Sequence, residues 1–411
     1  MSGKHIAFMP YPAFGHTNPV LPVLGELVRR GHEVTCFTTD TFAEKIAAVG
    51  ARPVRYSAHL DSGPPSDWHT ADETAWLPVK LLNQSMAVAP GVEAEFAANP
   101  PDLIGYDTTL WAPGRFISWR RKCSSVQLIP TFASNENFSL SGEGMRLIGK
   151  EPDDVGPLDP NHPGLVEFVR LMGVHAEEYA VGEEDMLALY HGSREFNLVF
   201  VPREFQFGGD TFGEDHAFVG PCQDGGSAGQ WQPPADGKPV VLVTLGTTVN
   251  HRPDFFRECI RAFAGAPWHV VMTLGGRIDP ADLGEIPPNI EVHQWITHAE
   301  VLPHASVLVC QAGMGTVLES LYFGVPLVVV PHHPEQKLNT RRLVELGLAR
   351  ELSHATVTAE ALRSAVLELA QDVDTRKRVA EMQRYTREAG GAVKAADVIE
   401  SRLALTGGSD V

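Results

Sequence analysis

The sequence has little cysteine, no concentrated basic stretch and no long apolar run, and each absence excludes a class of protein. No segment approaches the ~20 consecutive apolar residues of a membrane-spanning helix, so we expect no membrane span. The five cysteines are dispersed, odd in number and without a C-x-x-C pair, which predicts free thiols in a reducing compartment. The N-terminal run is too short and polar for a signal peptide, so we expect a cytoplasmic protein.

Acidic residues outnumber basic ones, 51 to 33, and the formal net charge is −18. Without a basic stripe, nucleic-acid binding is not expected, although a helix N-terminus can still bind a phosphate group. The sequence also lacks G-x-S-x-G, H-E-x-x-H and P-loop motifs, and no G-x-G-x-x-G follows a strand-like run. These absences argue against serine hydrolases, zinc proteases and P-loop enzymes.

Strand-like and helical segments alternate through both halves of the chain, whose 411 residues predict two domains. Such alternation predicts α/β domains with parallel sheets. The Gly- and Pro-rich segment 223–238 is the predicted linker, and one long amphipathic helical stretch is expected from about 376 to 405. The predicted strands cover 5–11, 33–39, 52–56, 102–106 and 125–130, then 239–246, 269–275, 289–295, 306–311 and 326–331.

His16 and Asp107 follow the predicted first and fourth strands of the first domain. In a doubly wound sheet of order 3-2-1-4-5 those strands are neighbours, and ligands bind beyond their carboxyl ends. The pair suits a general base with an orienting carboxylate. The alternatives are a loop histidine with local hydrogen bonds and a strand-end aspartate that caps the next helix. A helix is expected to start after His16, with Asn18 as N-cap and Pro19 as its first residue.

Glycine-rich turns follow the corresponding strands of the second half, at 245–248 and 311–316. A helix that starts near residue 315 would point its N–H groups at a diphosphate; ordinary glycine turns are the alternative. Glu319 fits either a capping box with Thr316 or a carboxylate for a ribose diol. Trp295 could stack on a base or fill the core. His332, His333 and Glu335 do not have the spacing of a metal site, and no metal is expected.

Two segments carry a family resemblance: HIAFMPYPAFGHTNPVLPVLGELVRRGHEVT near the start, and QAGMGTVLESLYFGVPLVVVPHHPEQKLNTRRLVELGLA in the second half. The chain resembles the GT-B-fold glycosyltransferases of the macrolide and antibiotic-modifying group, from about residue 4 to 405. The resemblance implies two facing Rossmann-like domains with a cleft between them. The implied division is an acceptor domain (1–222), the linker (223–238), a nucleotide-sugar domain (239–390) and a helix that crosses back to the first domain (391–411).

The resemblance also implies roles for individual residues. His16 would deprotonate the acceptor hydroxyl, and Asp107 would be its partner. The implied donor-binding residues are Thr247, Trp295, Gln311, Gly313, Gly315, Thr316, Glu319, Glu335 and Gln336. Three positions depart from the family pattern: Gln311 replaces a histidine that contacts a phosphate, Glu335 replaces an aspartate, and Ile-Thr-His298 follows Trp295 where Pro and Gln are common.

The sequence therefore predicts an inverting sugar transfer from a UDP- or dTDP-sugar to a small lipophilic acceptor, with no cofactor and no metal. Two long insertions, 59–100 and 131–195, hold side chains that could line the acceptor site or merely pack the insertions: Trp68, Trp76, Phe132, Phe138 and Met186. A nucleotide-sugar epimerase or hydrolase, and a non-catalytic auxiliary binding protein, remain as alternatives. A monomer or a homodimer is compatible with the sequence.

Overall fold

A computed structural model describes residues 3–56, 71–143, 159, 161–190, 195–223, 231–247, 250–276 and 278–406. Contacts within the chain divide it into two compact units. The first comprises Met1–Cys222 and Ala389–Val411, and the second comprises Gln223–Glu388. Among the described residues, no helix is both long enough and apolar enough to cross a membrane.

The first unit contains a parallel sheet of seven strands, counted over the described residues, in the order β3-β2-β1-β4-β5-β6-β7. The predicted order of its first five strands is confirmed. Strands β6 and β7 were not predicted, because segments of four and three residues leave little periodicity to detect. The strands are β1 His5–Met9, β2 Glu33–Thr38, β3 Arg52–Arg55, β4 Leu103–Asp107, β5 Ser124–Ile129, β6 Phe196–Val199 and β7 His216–Phe218.

The first helices of this unit differ from the prediction. The single helix expected from Asn18 onward is wrong: a one-turn helix comes first, and the Asn18 N–H closes it by donating to Phe14 O (3.1 Å). The next helix starts only after Val20, with a proline in its first turn, where a missing N–H costs nothing. The helices are α1 Phe14–Thr17, α2 Leu21–Arg29, α3 Asp40–Ala48, α4 Ala71–Met86, α5 Ala89–Ala98, α6 Trp111–Arg121, α7 Pro163–Glu178 and α8 Glu183–Tyr190.

The second unit contains a parallel sheet in the order β10-β9-β8-β11-β12-β13. All five residues of β8 are buried, as expected for an inner strand of a parallel sheet that is covered on both faces. The strands are β8 Val240–Thr244, β9 His269–Thr273, β10 Ile290–His293, β11 Ala305–Cys310, β12 Leu327–Val329 and β13 Ala349–Glu351. The helices are α9 Pro253–Phe263, α10 His298–Val301, α11 Met314–Phe323, α12 Pro334–Glu345, α13 Ala359–Gln371 and α14 Val373–Glu388.

The amphipathic helical stretch predicted for about 376 to 405 is divided between two helices, because the chain breaks at Gly390 and Gly391, both of which have a positive φ. The second of them, α15 (Gly391–Thr406), belongs to the first unit. Arg30 at the end of α2 binds two of its carboxylates, Asp397 at 2.8 Å and Glu400 at 2.6 Å. Four apolar side chains of α15 join the core beneath β1, β2 and β4: Ala395, Ala396, Ile399 and Leu403.

The structure describes residues 231–238 of the predicted linker. The first of these residues, Trp231, is hydrogen-bonded to the second unit. The Trp231 indole N–H donates to Glu291 (3.0 Å), and its backbone N–H donates to Glu300 (3.2 Å). All five cysteines are free thiols, and four of them are buried.

Candidate active site

His16 and Asp107 meet at the carboxyl ends of β1 and β4, which are neighbouring strands. His16 Nδ1 lies 2.9 Å from Asp107 Oδ2, while Asp107 Oδ1 accepts the backbone N–H of Thr109 at 2.8 Å. The Asp107 side chain is 1% exposed and that of His16 is 30% exposed. A buried carboxylate held on both oxygens therefore orients an imidazole that reaches solvent.

His16 owes its position to α1, the one-turn helix that was not predicted. The Thr17 hydroxyl donates to Tyr11 O (3.1 Å), and the Tyr11 ring packs edge-on against the imidazole, with centroids 5.5 Å apart. When Nδ1 carries the hydrogen and donates it to Asp107, Nε2 of the neutral ring is the atom that can accept a proton. This arrangement suits a general base.

Two of the aromatic side chains proposed to line an acceptor site, Phe132 and Phe138, contact each other, with ring centroids 6.2 Å apart. Phe132 is 1% exposed and lies against Phe205, Phe207 and Phe138, so its ring packs inside the first unit. Phe138 stacks on Phe207 at 4.9 Å.

The other acceptor candidates lie on the helices of the insertions or outside the described residues. Trp76 on α4 is 40% exposed and touches the His162 ring edge-on. Met186 on α8 is partly buried against a hydrophobic cluster that includes Leu82. Trp68 lies outside the described residues.

The glycine turns of the second unit, after β8 and β11, touch each other. Gly246 has a φ of +61°, and a Cβ there would lie 2.5 Å from Gln311 Nε2. Gln311 is buried, and its Oε1 has no hydrogen-bond partner among the described residues. Thr247, the next residue after Gly246, is partly exposed. The buried amide of Gln311, at the position where the family pattern has histidine, thus lies against the backbone of the turn after β8.

Helix α11 begins at Met314 directly above these turns, so its first-turn amides include Gly315 and Thr316. Its N-cap residue, Gly313, has no side chain to cap the helix. The capping box proposed for Thr316 and Glu319 is wrong, because it requires Thr316 as the N-cap and Glu319 at N3, whereas the N-cap is Gly313, Thr316 is at N3 and Glu319 lies one turn further into the helix. The first-turn N–H groups are the arrangement that binds phosphate oxygens at helix N-termini.

Asn250 links the turn after β8 to the turn after β9, and no sequence pattern predicted this link. The side chain is fully buried, and Nδ2 donates to Gly246 O (3.1 Å) and to Gly275 O (2.8 Å). An asparagine in a glycine-containing loop is usually a surface turn residue, so the sequence offers no strong signal for such a clamp.

Glu335 and Gln336 lie in the first turn of α12, and both have internal partners. Gln336 is buried, and its Oε1 accepts the backbone N–H groups of His332 (2.8 Å) and His333 (3.2 Å). Glu335 is exposed and accepts from Asn339 Nδ2 at 3.3 Å. Asn339 also donates to the carbonyl oxygen of residue 312 at 2.9 Å, which links this pair to the turn after β11.

His332 and His333 do not form a metal centre with other described residues: no group of three or more His, Cys, Asp or Glu side chains within the described ranges could hold a metal ion. His332 packs edge-on against His354, with ring centroids 4.9 Å apart. Burial and the nearby Arg252 lower the pKa of His332 to about 4, so the ring is neutral near pH 7.

Trp295 and Glu319, the proposed base and ribose contacts, lie after β10 and on α11. Trp295 is 58% exposed, which is unusual for a tryptophan. Glu319 is partly exposed and pairs with His298, whose Nδ1 lies 2.7 Å from Glu319 Oε2. In the sequence, His298 stands out only as a departure from the family pattern, because no periodicity connects it to Glu319.

Gly315 provides a test of ligand binding at α11. Its φ is not positive and a Cβ would meet no atom within 4 Å, so the fold does not require glycine there. We expect Gly315→Ala to stabilise the unliganded protein by about 0.5–1 kcal/mol and to weaken nucleoside diphosphate binding. Urea unfolding and calorimetric titration measure the two effects. The matched control is Gly173→Ala on α7, also exposed and open, which should stabilise the protein without changing binding. Unchanged nucleotide affinity in Gly315→Ala would exclude a ligand at this turn.

Comparison with protein families and with curated proteins gives consistent matches. The model of the C-terminal domain of erythromycin biosynthesis protein CIII-like proteins matches residues 262–402. The demethyllactenocin mycarosyltransferase of Streptomyces fradiae is 36% identical over 97% of this chain and 86% of its own length. The oleandomycin glycosyltransferase of Streptomyces antibioticus is 36% identical over 97% of this chain and 91% of its own length.

Comparison with solved structures points the same way. The calicheamicin glycosyltransferase CalG4 superposes with a TM-score of 0.86 at 36% sequence identity, covering 99% of this chain and all of that one. The matches therefore extend over both units rather than over one domain.

Proposed function

The chain belongs to the GT-B-fold glycosyltransferases that modify macrolides and other antibiotics, and from that premise we propose how its residues divide the work. It transfers a sugar from a nucleotide diphosphate sugar to a natural-product acceptor. We propose that the donor is a UDP- or dTDP-sugar, that the configuration at the sugar carbon is inverted, and that no metal is required. The observation that carries the catalytic assignment is the 2.9 Å contact between His16 and Asp107.

The donor-binding roles proposed here are those that the family resemblance implies, and the geometry of the second unit supports them. The diphosphate would be held by backbone N–H groups of α11 and by the hydroxyls of Thr247 and Thr316. Gln311 would pack against the turn after β8. Trp295 would stack on the base, and Glu319 would accept from the nucleoside sugar. Glu335, exposed beside Gln336 in the first turn of α12, would accept from hydroxyls of the transferred sugar. Neutral amides and helix N–H groups stabilise a departing diphosphate without a cation.

In the transfer itself, His16 of the first unit acts as the general base. Nε2 of His16 accepts the proton of the acceptor hydroxyl as its oxygen bonds to the sugar carbon, and the bond from that carbon to the diphosphate oxygen breaks. Asp107 stabilises the imidazolium that forms and keeps Nδ1 as the donor. Because the acceptor displaces the diphosphate directly, a single displacement occurs and the configuration inverts.

The acceptor is proposed to be lipophilic, in keeping with the apolar and aromatic side chains of the insertions. Trp76 is the candidate with the largest exposed apolar surface among those described, and Met186 and Phe138 are partly exposed. A nucleotide-sugar epimerase or hydrolase, or a non-catalytic binding protein, is not favoured, because the near-full-length relatives are named glycosyltransferases and both His16 and Asp107 are present.

One experiment tests the proposal directly. The protein is incubated with UDP-glucose or dTDP-glucose, with and without a panel of macrolide and phenolic acceptors, and products are followed by mass spectrometry. We expect a hexosylated acceptor, and little sugar release when the acceptor is omitted. Equal sugar release with and without acceptor would support a hydrolase instead. UDP or dTDP at 100 times its Kd should also stabilise the native state by about 2.7 kcal/mol.

A further inference from the structure

The carboxylate of Glu319 is shared with a histidine. His298 at the start of α10 and Glu319 on α11 are 21 positions apart, and their Nδ1 and Oε2 atoms are 2.7 Å apart. Burial opposes a charge on His298, but the Glu319 carboxylate outweighs burial and raises the pKa of the imidazole. The contact is a charge-assisted hydrogen bond in which His298 is the donor.

This contact changes what Glu319 can offer a ligand. A carboxylate binds a diol best when each of its two oxygens accepts from one hydroxyl. His298 engages Oε2, whereas Oε1 has no hydrogen-bond partner among the described residues. A sugar hydroxyl can therefore bind at Oε1 without competition. A second hydroxyl would have to share Oε2 with the imidazole, which weakens the hydrogen bond that this oxygen can accept.

Ribose and 2′-deoxyribose differ in this respect. In a nucleoside diphosphate, ribose presents 2′- and 3′-hydroxyls, and 2′-deoxyribose presents the 3′-hydroxyl alone. Resting on the donor site proposed above, we propose that His298 restricts Glu319 to one sugar hydroxyl, so that the enzyme accepts 2′-deoxyribonucleoside diphosphate donors as well as ribonucleoside ones. His298 is thus a positioning residue that sets donor specificity through Glu319.

The position of His298 supports a role in donor binding rather than in general stability. It follows the exposed Trp295 by three residues, so the proposed base and sugar contacts converge on one short connection after β10. A comparable pair, His269 with Glu291 at 2.7 Å, lies at the first residue of β9, away from the carboxyl ends of the strands. That pair has a similar geometry but lies away from the proposed donor site. It therefore supplies a matched control.

The test measures the ratio of the Kd for 2′-deoxyuridine diphosphate to the Kd for UDP, by calorimetric titration of the full chain. The two ligands differ only in the 2′-hydroxyl. We expect a wild-type ratio within about threefold of one, and His298→Ala to raise the ratio by about five- to tenfold, because Oε2 then becomes available for one further hydrogen bond. His298→Asn, whose amide donor replaces Nδ1, should keep the wild-type ratio. His269→Ala should also keep it.

Steady-state kinetics add a second readout. His298→Ala should change the KM for the donor, while kcat and the KM for the acceptor stay near the wild-type values. A wild-type preference for UDP above about tenfold, or an unchanged ratio in His298→Ala, would overturn the inference and leave the proposed function intact. If the wild type binds none of UDP, 2′-deoxyuridine diphosphate and dTDP, the proposed function fails, and this inference fails with it. If the alanine variant does not fold, a wild-type preference for UDP above about tenfold still overturns the inference.

Discussion

Replacing His16 by alanine is expected to lower kcat by a factor on the order of 10²–10⁴, because the acceptor hydroxyl then loses the group that removes its proton. The KM for the donor should change little, since His16 lies in the first unit and the proposed donor residues lie in the second. Steady-state rates with a fixed acceptor and a varied nucleotide sugar measure both quantities.

Two further variants sharpen this result. Asp107→Asn should lower kcat in the same direction, because a neutral amide cannot stabilise the imidazolium and can favour the wrong tautomer. His216→Ala removes another histidine that lies beside an acid, Asp215 at 3.0 Å, on the distant edge strand β7, and it should leave kcat unchanged. If His16→Ala kept more than about a tenth of the wild-type kcat, His16 would not be the base.

Replacing Gly275 by alanine is expected to destabilise the protein by about 2–4 kcal/mol and to abolish stabilisation by nucleoside diphosphates. The φ at Gly275 is +68°, and a Cβ there would collide with Asn250 Nδ2 and lie 2.5 Å from Gly246 O. Asn250 cannot move aside, since it is fully buried and holds the turns after β8 and β9 together. Urea unfolding with and without UDP measures both effects.

The neighbouring residue provides the control. Gly276 also has a positive φ, +82°, but a Cβ there would meet no atom within 4 Å. Gly276→Ala should therefore cost about 1 kcal/mol from backbone strain alone and keep the response to UDP. Equal losses in the two variants would show that backbone strain, rather than the Asn250 clamp, determines the effect at Gly275.

The sequence predicted most of the fold because buried parallel strands are continuous apolar runs. β1, β4, β8 and β11 are easily recognised in this way, and strand order in a doubly wound sheet follows from the alternation with helices. The missed strands are short, and their pairing depends on neighbours that are distant in the chain. The helical period of the stretch 376–405 does not by itself reveal the break at Gly390 and Gly391, which separates two helices that belong to different units.

The site was predicted in the same uneven way. His16 and Asp107 were found because topology brings the ends of neighbouring strands together. Because the start of the following helix was predicted incorrectly, the prediction did not show that His16 lies on the separate one-turn helix α1. Phe132 was proposed as a lining residue from its type and place in an insertion, but an aromatic ring is equally suited to packing, and only its buried neighbours identify its role.

By itself, the sequence determined the class of fold, the family and the strand ends at which chemistry is expected, because these depend on the order of apolar and polar residues along the chain. The tertiary structure alone decided which side chains meet. Asn250 reaches Gly275 across 25 positions and His298 reaches Glu319 across 21, through connections that leave no mark in local composition. Periodicity records whether a residue is buried, whereas a hydrogen-bond partner depends on how separate elements pack.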